Sequence, residues 1–238
     1  MTQNGLEICF SPAIFDAHSD REAVVVIVDI LRATSSICTA FANGVHEIIP
    51  VATVEEAREM KRKGYLVAAE RDGYVLDFAD FGNSPFNFAP GKVAGKVVAY
   101  STTNGTGIMK MASECHELVI GACLNLTALC RWLEEQNRKV IVVCAGWKMR
   151  FSLEDALCAG AIAARLLEGG KFTTSCDAVH AATDLWKMAK GDLIGYIDKA
   201  AQRSRLRDKG LDDCIGYCHT MDVTEIIPVL RNGKLVAL

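Results

Sequence analysis

The stretch VVVIVDILRATSS, Val24 to Ser36, decides the fold. Its first five residues are all β-branched and show no polar alternation, which predicts a strand buried on both faces. Such strands belong to parallel sheets covered by helices on each side. The run then presents Asp29 and Arg32, followed by Thr34, Ser35 and Ser36. A carboxylate at the tip of an apolar strand is costly to desolvate unless it finds a cation, a metal or a hydrogen-bond cage. In open parallel sheets ligands bind beyond the carboxyl ends of the strands, so the strand stops where the core stops and its tip faces a polar cleft.

The same order, apolar strand then polar turn, recurs along the chain. VVAY leads into STTNGTG (Ser101 to Gly107), VIVVCAG into WKMRFSLED, and LVAA into ERDG with DFADFGNSP just beyond. Strands are expected near Val24–Ile30, Glu47–Val51, Leu66–Ala69, Val97–Ser101, Glu117–Gly121 and Val140–Cys144. Helices are expected near Thr34–Asn43, Val54–Lys63, Thr106–Ala112, Leu126–Gln136 and Leu153–Leu167. After Thr174 the pattern is mostly helical, and a last strand within VTEIIPVL is expected to return to a sheet edge before the turn signal RNGK. The expected fold class is α/β, a three-layer αβα arrangement around a mainly parallel sheet that admits antiparallel strands. A single domain over 1–238 is the default, since no Pro- or Ser-rich linker interrupts it. A weak echo at an offset of 70 residues superposes Asp29–Ala52 on Ala99–Ala122. It suggests two similar sub-units, about 20–90 and 91–170, with a mainly helical part over 175–220.

Composition narrows the function. With 50% hydrophobic residues in 238, the chain can bury a sizeable core, and its net charge of −3 gives no global field for nucleic acid or anionic lipid. An anionic partner must therefore be held locally. The start MTQNGLEICFSPAIFDAHSD lacks the basic and long apolar regions of a secretory signal, and no window reaches the length of a membrane span. Ten cysteines scattered singly through apolar segments fit free thiols in a reducing cytoplasm, so a cytoplasmic location is expected. CIGYCH, Cys214 to His219, has no second ligand pair at zinc-finger spacing, so no structural zinc is expected. The oligomeric state is not set by the sequence, and a homo-oligomer stays open.

The turns carry the candidate chemistry. STTNGTG can ring an oxyanion with hydroxyls and N–H groups, although Thr and Asn also cap helices. Asp29 and Arg32 admit two readings: a salt bridge, or a Mg²⁺ ligand beside an arginine free to fork onto a phosphate or carboxylate. DILRAT compares with D-x-D-x-T phosphatases, but Leu31 stands where those have their second Asp. Glu70 and Arg71 follow their strand in the same topological place. In SLED, Ser152 to Asp155, the spacing is close to a capping box, and taken alone the cap is the preferred role.

Taken together, VVVIVDILRATSS, ERDG with DFADFGNSP, STTNGTG and VIVVCAGWKMRFSLEDALCAG resemble, in order and spacing, the 2-phosphosulfolactate phosphatases. Two departures are visible: Ser101 stands for the first of three threonines, and DFADFGNSP has Ala79 and Asp80 before Phe81. The resemblance implies a Mg²⁺-dependent acid-type phosphatase with an α/β fold of its own. Its reaction would be hydrolysis of 2-phospho-3-sulfolactate to 3-sulfolactate and phosphate, a step towards coenzyme M in methanogens. It further implies Asp29, Glu70 and Asp155 as metal ligands and Asp29, Arg32 and Asp155 as catalytic residues. The substrate's phosphate, carboxylate and sulfonate would meet Arg32, Arg71 and Arg150, with Thr34, Asn83, Thr102, Thr103, Asn104 and Thr106 completing the site. Two rivals remain at this level: a phosphatase for another small phosphorylated hydroxy acid, and a non-catalytic module binding a small organic anion.

Overall fold

A computed structural model of the chain describes residues 3–102, 111 and 114–238. The valine-rich run forms strand β2 (Asp20–Val28), and Val24 to Val28 are buried as the lack of alternation requires. β2 lies between β7 (Cys115–Gly121) and β8 (Val140–Cys144), parallel to both, with Val26 opposite Val119 and Val142. On the far side of β8 come β1 (Asn4–Cys9), parallel to it, and β9 (Phe172–Thr173) at the edge. β1 is a strand that the sequence pattern did not announce.

A second parallel block consists of β3 (Glu47–Pro50), β6 (Val97–Ser101) and β4 (Leu66–Arg71), with the short antiparallel β5 (Tyr74–Val75) outside β4. The C-terminal hairpin, β10 (Pro228–Arg231) and β11 (Lys234–Ala237), joins the blocks. The order among the described residues is β5-β4-β6-β3-β11-β10-β7-β2-β8-β1-β9. The last strand thus lies mid-sheet, not at an edge. The reason is that β3 and β7 each expose an unpaired side, and Val229 and Leu235, both fully buried, seal them together. The RNGK turn is real: Asn232 and Gly233 have φ of 51° and 77°, the left-handed pair that a two-residue hairpin loop needs.

Crossovers interleave the blocks. From β2 the chain passes through α1 (Ala33–Ala42) to β3 in the other block, and β6 is followed in sequence by β7 back in the first. The segments 20–90 and 91–170 therefore each give strands to both blocks. Helices α2 (Val54–Arg62), α3 (Pro90–Val93), α4 (Leu126–Gln136), α5 (Leu153–Glu168) and α6 (Asp177–Ala189) complete the α/β architecture. The C-terminal part adds the short helices α7 (Leu193–Ile197), α8 (Ala201–Asp208) and α9 (Ile215–Cys218). The helix expected over Thr106–Ala112 falls mostly outside the described residues. Among the described residues no helix is long and apolar enough to cross a membrane, and all ten cysteines are free thiols.

The antiparallel hairpin sets the two blocks in opposite senses, and in a flat sheet their carboxyl ends would lie at opposite edges. Instead Asp29 after β2, Pro50 of β3, Tyr100 and Thr102 around β6 and Ala145 after β8 line one cavity, with Leu235 in its wall. Twist accumulated across the hairpin brings the ends together. Replacing Leu235 by Ala should lower stability by about 2–5 kcal/mol, read as a shifted urea midpoint with unchanged slope. Leu238→Ala, at an exposed terminus, should change it by less than about 0.5 kcal/mol.

Candidate active site

The strand tips meet in a cleft enclosing about 570 Å³ of empty space, including its open mouth. Asp29, Arg32, Glu70, Asn83, Thr102 and Asp155 all line it. Six of the residues expected from the sequence are thus brought together from five separate segments.

The hydroxyls after β2 build the turn. Thr34 N–H donates to the Asp29 carbonyl at 2.8 Å while Thr34 Oγ1 accepts from Asp29 N–H at 3.1 Å, a reciprocal lock. Ser35 Oγ donates to the Ile30 carbonyl and Ser36 Oγ to the Asn83 carbonyl at 2.6 Å. The Asp29 carboxylate receives Ala33 N–H at 3.3 Å, at the start of α1, where the helix favours negative charge. Arg32 is only 4% exposed. Its Nη2 donates to Asn83 Oδ1 at 2.9 Å and its Nη1 to the Leu211 carbonyl at 3.4 Å. Behind it, the Cys214 thiol, hydrogen-bonded to Cys218 and close to the Arg32 charge, is pulled down to about 7.

Asp155 has a different local role from the one its spacing suggests. Ser152 is the N-cap of α5 by backbone geometry but makes no side-chain capping bond, so no capping box forms. The Asp155 carboxylate turns instead to the strand tips: Oδ1 accepts Ile30 N–H at 2.8 Å and Oδ2 accepts Gly146 N–H at 3.0 Å. Gly146 is required there, because its φ is +63° and a Cβ would lie 2.0 Å from the Arg150 carbonyl oxygen. Burial, reinforced by the nearby charges of Glu154 and Asp29, pushes the Asp155 carboxyl well above the usual range. Glu154, also buried and lining the cleft, is raised by burial too, with the Arg205 charge opposing.

On the opposite wall Glu70 Oε2 accepts Gly73 N–H at 2.6 Å. Arg71, by contrast, is not part of the cleft lining. Its guanidinium donates to the Glu70 carbonyl at 2.6 Å and to Ser101 Oγ at 3.1 Å, bracing β4 against β6. Arg150 is exposed, and its backbone closes a tight loop with Trp147. Neither arginine joins Arg32 in the cleft. Thr34 lines the adjoining apolar cavity. Asp80, in the motif that departs from the family pattern, accepts Val67 N–H at 2.8 Å and pairs with Lys61 at 2.5 Å, which makes it a structural clamp. Thr103, Asn104 and Thr106 lie outside the described residues.

Sequence reasoning missed one wall. Gln202, Arg205, Leu206 and Lys209, spaced i, i+3, i+4, i+7 along α8 and its end, all face the cleft. The spacing was a usable signal, but AQRSRLRDKG has the polarity of an ordinary solvated helix. Gln202 anchors the helix by donating to the Leu31 carbonyl at 3.2 Å. Lys209 donates to the Asp72 carbonyl, and Lys148 pairs with the Asp72 carboxylate at 3.1 Å.

No three His, Cys, Asp or Glu side chains among the described residues are grouped so that they could hold a metal ion together. Asp29, Glu70 and Asp155 thus share a cleft without forming a three-carboxylate cage. The Asp29 charge is felt at the Asp155 carboxyl and helps to raise it. Mg²⁺ commonly takes only one or two carboxylates and fills its octahedron with water and substrate oxygens, and this pair fits that demand.

Fold and site together define an α/β enzyme whose cleft is built for a small anion. The family described as 2-phosphosulpholactate phosphatase matches residues 9–233. A protein of Caldanaerobacter subterraneus subsp. tengcongensis, described as a probable 2-phosphosulfolactate phosphatase, is 37% identical over 217 residues, 90% of each chain. One with the same description from Thermotoga maritima is 37% identical over 212 residues, 89% of this chain and 90% of that one. Another from Clostridium perfringens strain SM101 is 31% identical over 236 residues, 97% and 95% of the two chains. The chain belongs to the 2-phosphosulfolactate phosphatase family, a group of phosphoric monoester hydrolases.

The buried carboxyl of Asp155 gives a pH prediction. With its folded pKa raised, the native state holds a proton that the unfolded chain releases above the ordinary carboxylate range. Stability of EDTA-treated protein should therefore fall as pH rises from that range towards the raised folded value. Asp155→Asn should flatten this slope in urea titrations across pH. It should also cost about 1–3 kcal/mol, because an amide leaves one of the two backbone N–H groups facing a donor.

Proposed function

We propose that the chain hydrolyses 2-phospho-3-sulfolactate to 3-sulfolactate and phosphate, with Mg²⁺ as cofactor. The observation that carries this reading is the buried Arg32, held by Asn83 beside Asp29 at the floor of the strand-tip cleft. Family membership and the relatives' descriptions support the substrate. Arg32 receives the phosphoryl oxygens, with Asn83 fixing its plane so that the guanidinium is already oriented when charge builds up. Thr102 hydrogen-bonds to a remaining oxygen. Asp29 orients the attacking water, its own oxygen steadied by Ala33 N–H. Phosphoryl transfer asks mainly for such positioning and charge neutralisation.

Charge supports the metal. Five carboxyl side chains, Asp29, Glu70, Asp72, Glu154 and Asp155, line the cleft with Arg32, Arg205 and Lys209, and burial holds Asp155 and Glu154 back from ionising unless a cation lies beside them. A substrate with three anionic groups would be repelled unless a cation lay between it and the carboxylates. Asp29 and Asp155 would hold Mg²⁺, which when bound neutralises phosphoryl charge and acidifies water. The reaction is tested by measuring phosphate release from 2-phospho-3-sulfolactate with and without EDTA. Turnover should vanish with EDTA and return with Mg²⁺. Asp29→Asn should lose at least about 100-fold in kcat and also the thermal stabilisation that Mg²⁺ gives the wild type. Near-normal activity of that variant would exclude this site.

A further inference from the structure

On the strength of that reading, we infer that Arg205 of α8 is the specificity-determining residue for the substrate's second strong acid group, the sulfonate on the carbon next to the phosphoester carbon. The phosphate and the carboxylate sit on one carbon, so with the phosphate at Arg32 the carboxylate would lie against the same floor. The sulfonate is one carbon further out and must meet the wall, which α8 provides. Arg205 lines that wall with its guanidinium 4.9 Å from the Trp147 ring centroid and its Nε donating to Gln202 Oε1 at 2.7 Å. The Trp147 ring and the Nε bond fix its plane, and its two Nη groups have no hydrogen-bond partner among the described residues, although the charge of Glu154 in the same cleft is felt at the guanidinium. A planar fork held in this way suits a group with three equivalent oxygens. The other cation on the wall, Lys209, is already committed to the Asp72 carbonyl and to the Tyr74 ring at 4.9 Å. It acts as a latch between α8 and the β4–β5 turn.

The test separates this subsite from the reaction itself. Calorimetric titration of the Mg²⁺-loaded protein with 3-sulfolactate and, separately, with inorganic phosphate needs no turnover. Arg205→Gln should weaken 3-sulfolactate roughly 10- to 100-fold, the range for losing a charge-assisted hydrogen-bonded pair, and leave phosphate binding unchanged. Arg205→Lys should recover part of the affinity, and it serves as the second variant if the glutamine form unfolds early in urea. In kinetics, Arg205→Gln should raise KM for 2-phospho-3-sulfolactate with little change in kcat, and have no effect on 2-phospholactate, which lacks the sulfonate. Equal weakening of both titrants, no weakening of either, or no binding of 3-sulfolactate by the wild type would overturn the assignment. Absence of phosphate release by the wild type would count against the proposed reaction, and the titrations would still decide the role of Arg205.

Discussion

A carboxylate with almost no access to water holds the site together. Asp155 comes from the first turn of α5, yet its oxygens take the N–H groups of Ile30 and Gly146, each two residues beyond the end of its strand, β2 or β8. Two backbone donors that would otherwise be stranded at the strand tips are satisfied by one side chain. Removing a carboxylate from water is expensive, and two hydrogen bonds only partly offset that cost, so the group is driven towards its protonated form. A cation in the cleft would reverse the drive. Strand tips and helix entry are in this way coupled through one residue.

The second constraint is the sheet's own geometry. Two parallel blocks joined through an antiparallel hairpin would send their carboxyl ends apart if the sheet were flat. Because the strands twist, Asp29 and Ala145 from one block meet Pro50 and Thr102 from the other. The hairpin that makes this join fills the gap between β3 and β7. The cavity between the blocks therefore depends on β10 and β11 being in place, and Leu235 of β11 forms part of its wall.

These two facts explain what the sequence made legible. The tip of β2 could be read because burial on both faces leaves an uninterrupted valine run, and the polar residues after it mark where the core ends. Six expected site residues gather for the same reason. The mid-sheet position of β10 was not legible, since pairing partners far apart in sequence leave no mark in the pattern of a four-residue strand. Only the cap reading of SLED failed: the spacing of Asp155 from Ser152 satisfies a local rule, while its actual partners lie 125 and 9 residues away. Arg71 and Arg150 carried the right charge at the right turns, but strand pleat and a tight loop direct them elsewhere: one braces Ser101, the other is exposed.

Charge placement completes the argument. An acidic chain that receives an acidic ligand must concentrate its cations where the ligand lies, and here they arrive from opposite ends of the sequence. Arg32 enters with the first crossover and is fixed by Asn83 and by the Leu211 carbonyl. Arg205 enters with a C-terminal helix anchored to that same crossover through Gln202 and the Leu31 carbonyl. Helix α8 and Arg32 thus share a support, and any displacement of the helix would be felt at Arg32 as well as at the wall. Arg205 and Arg32 are for that reason held in register through the crossover, although no single segment of sequence contains both.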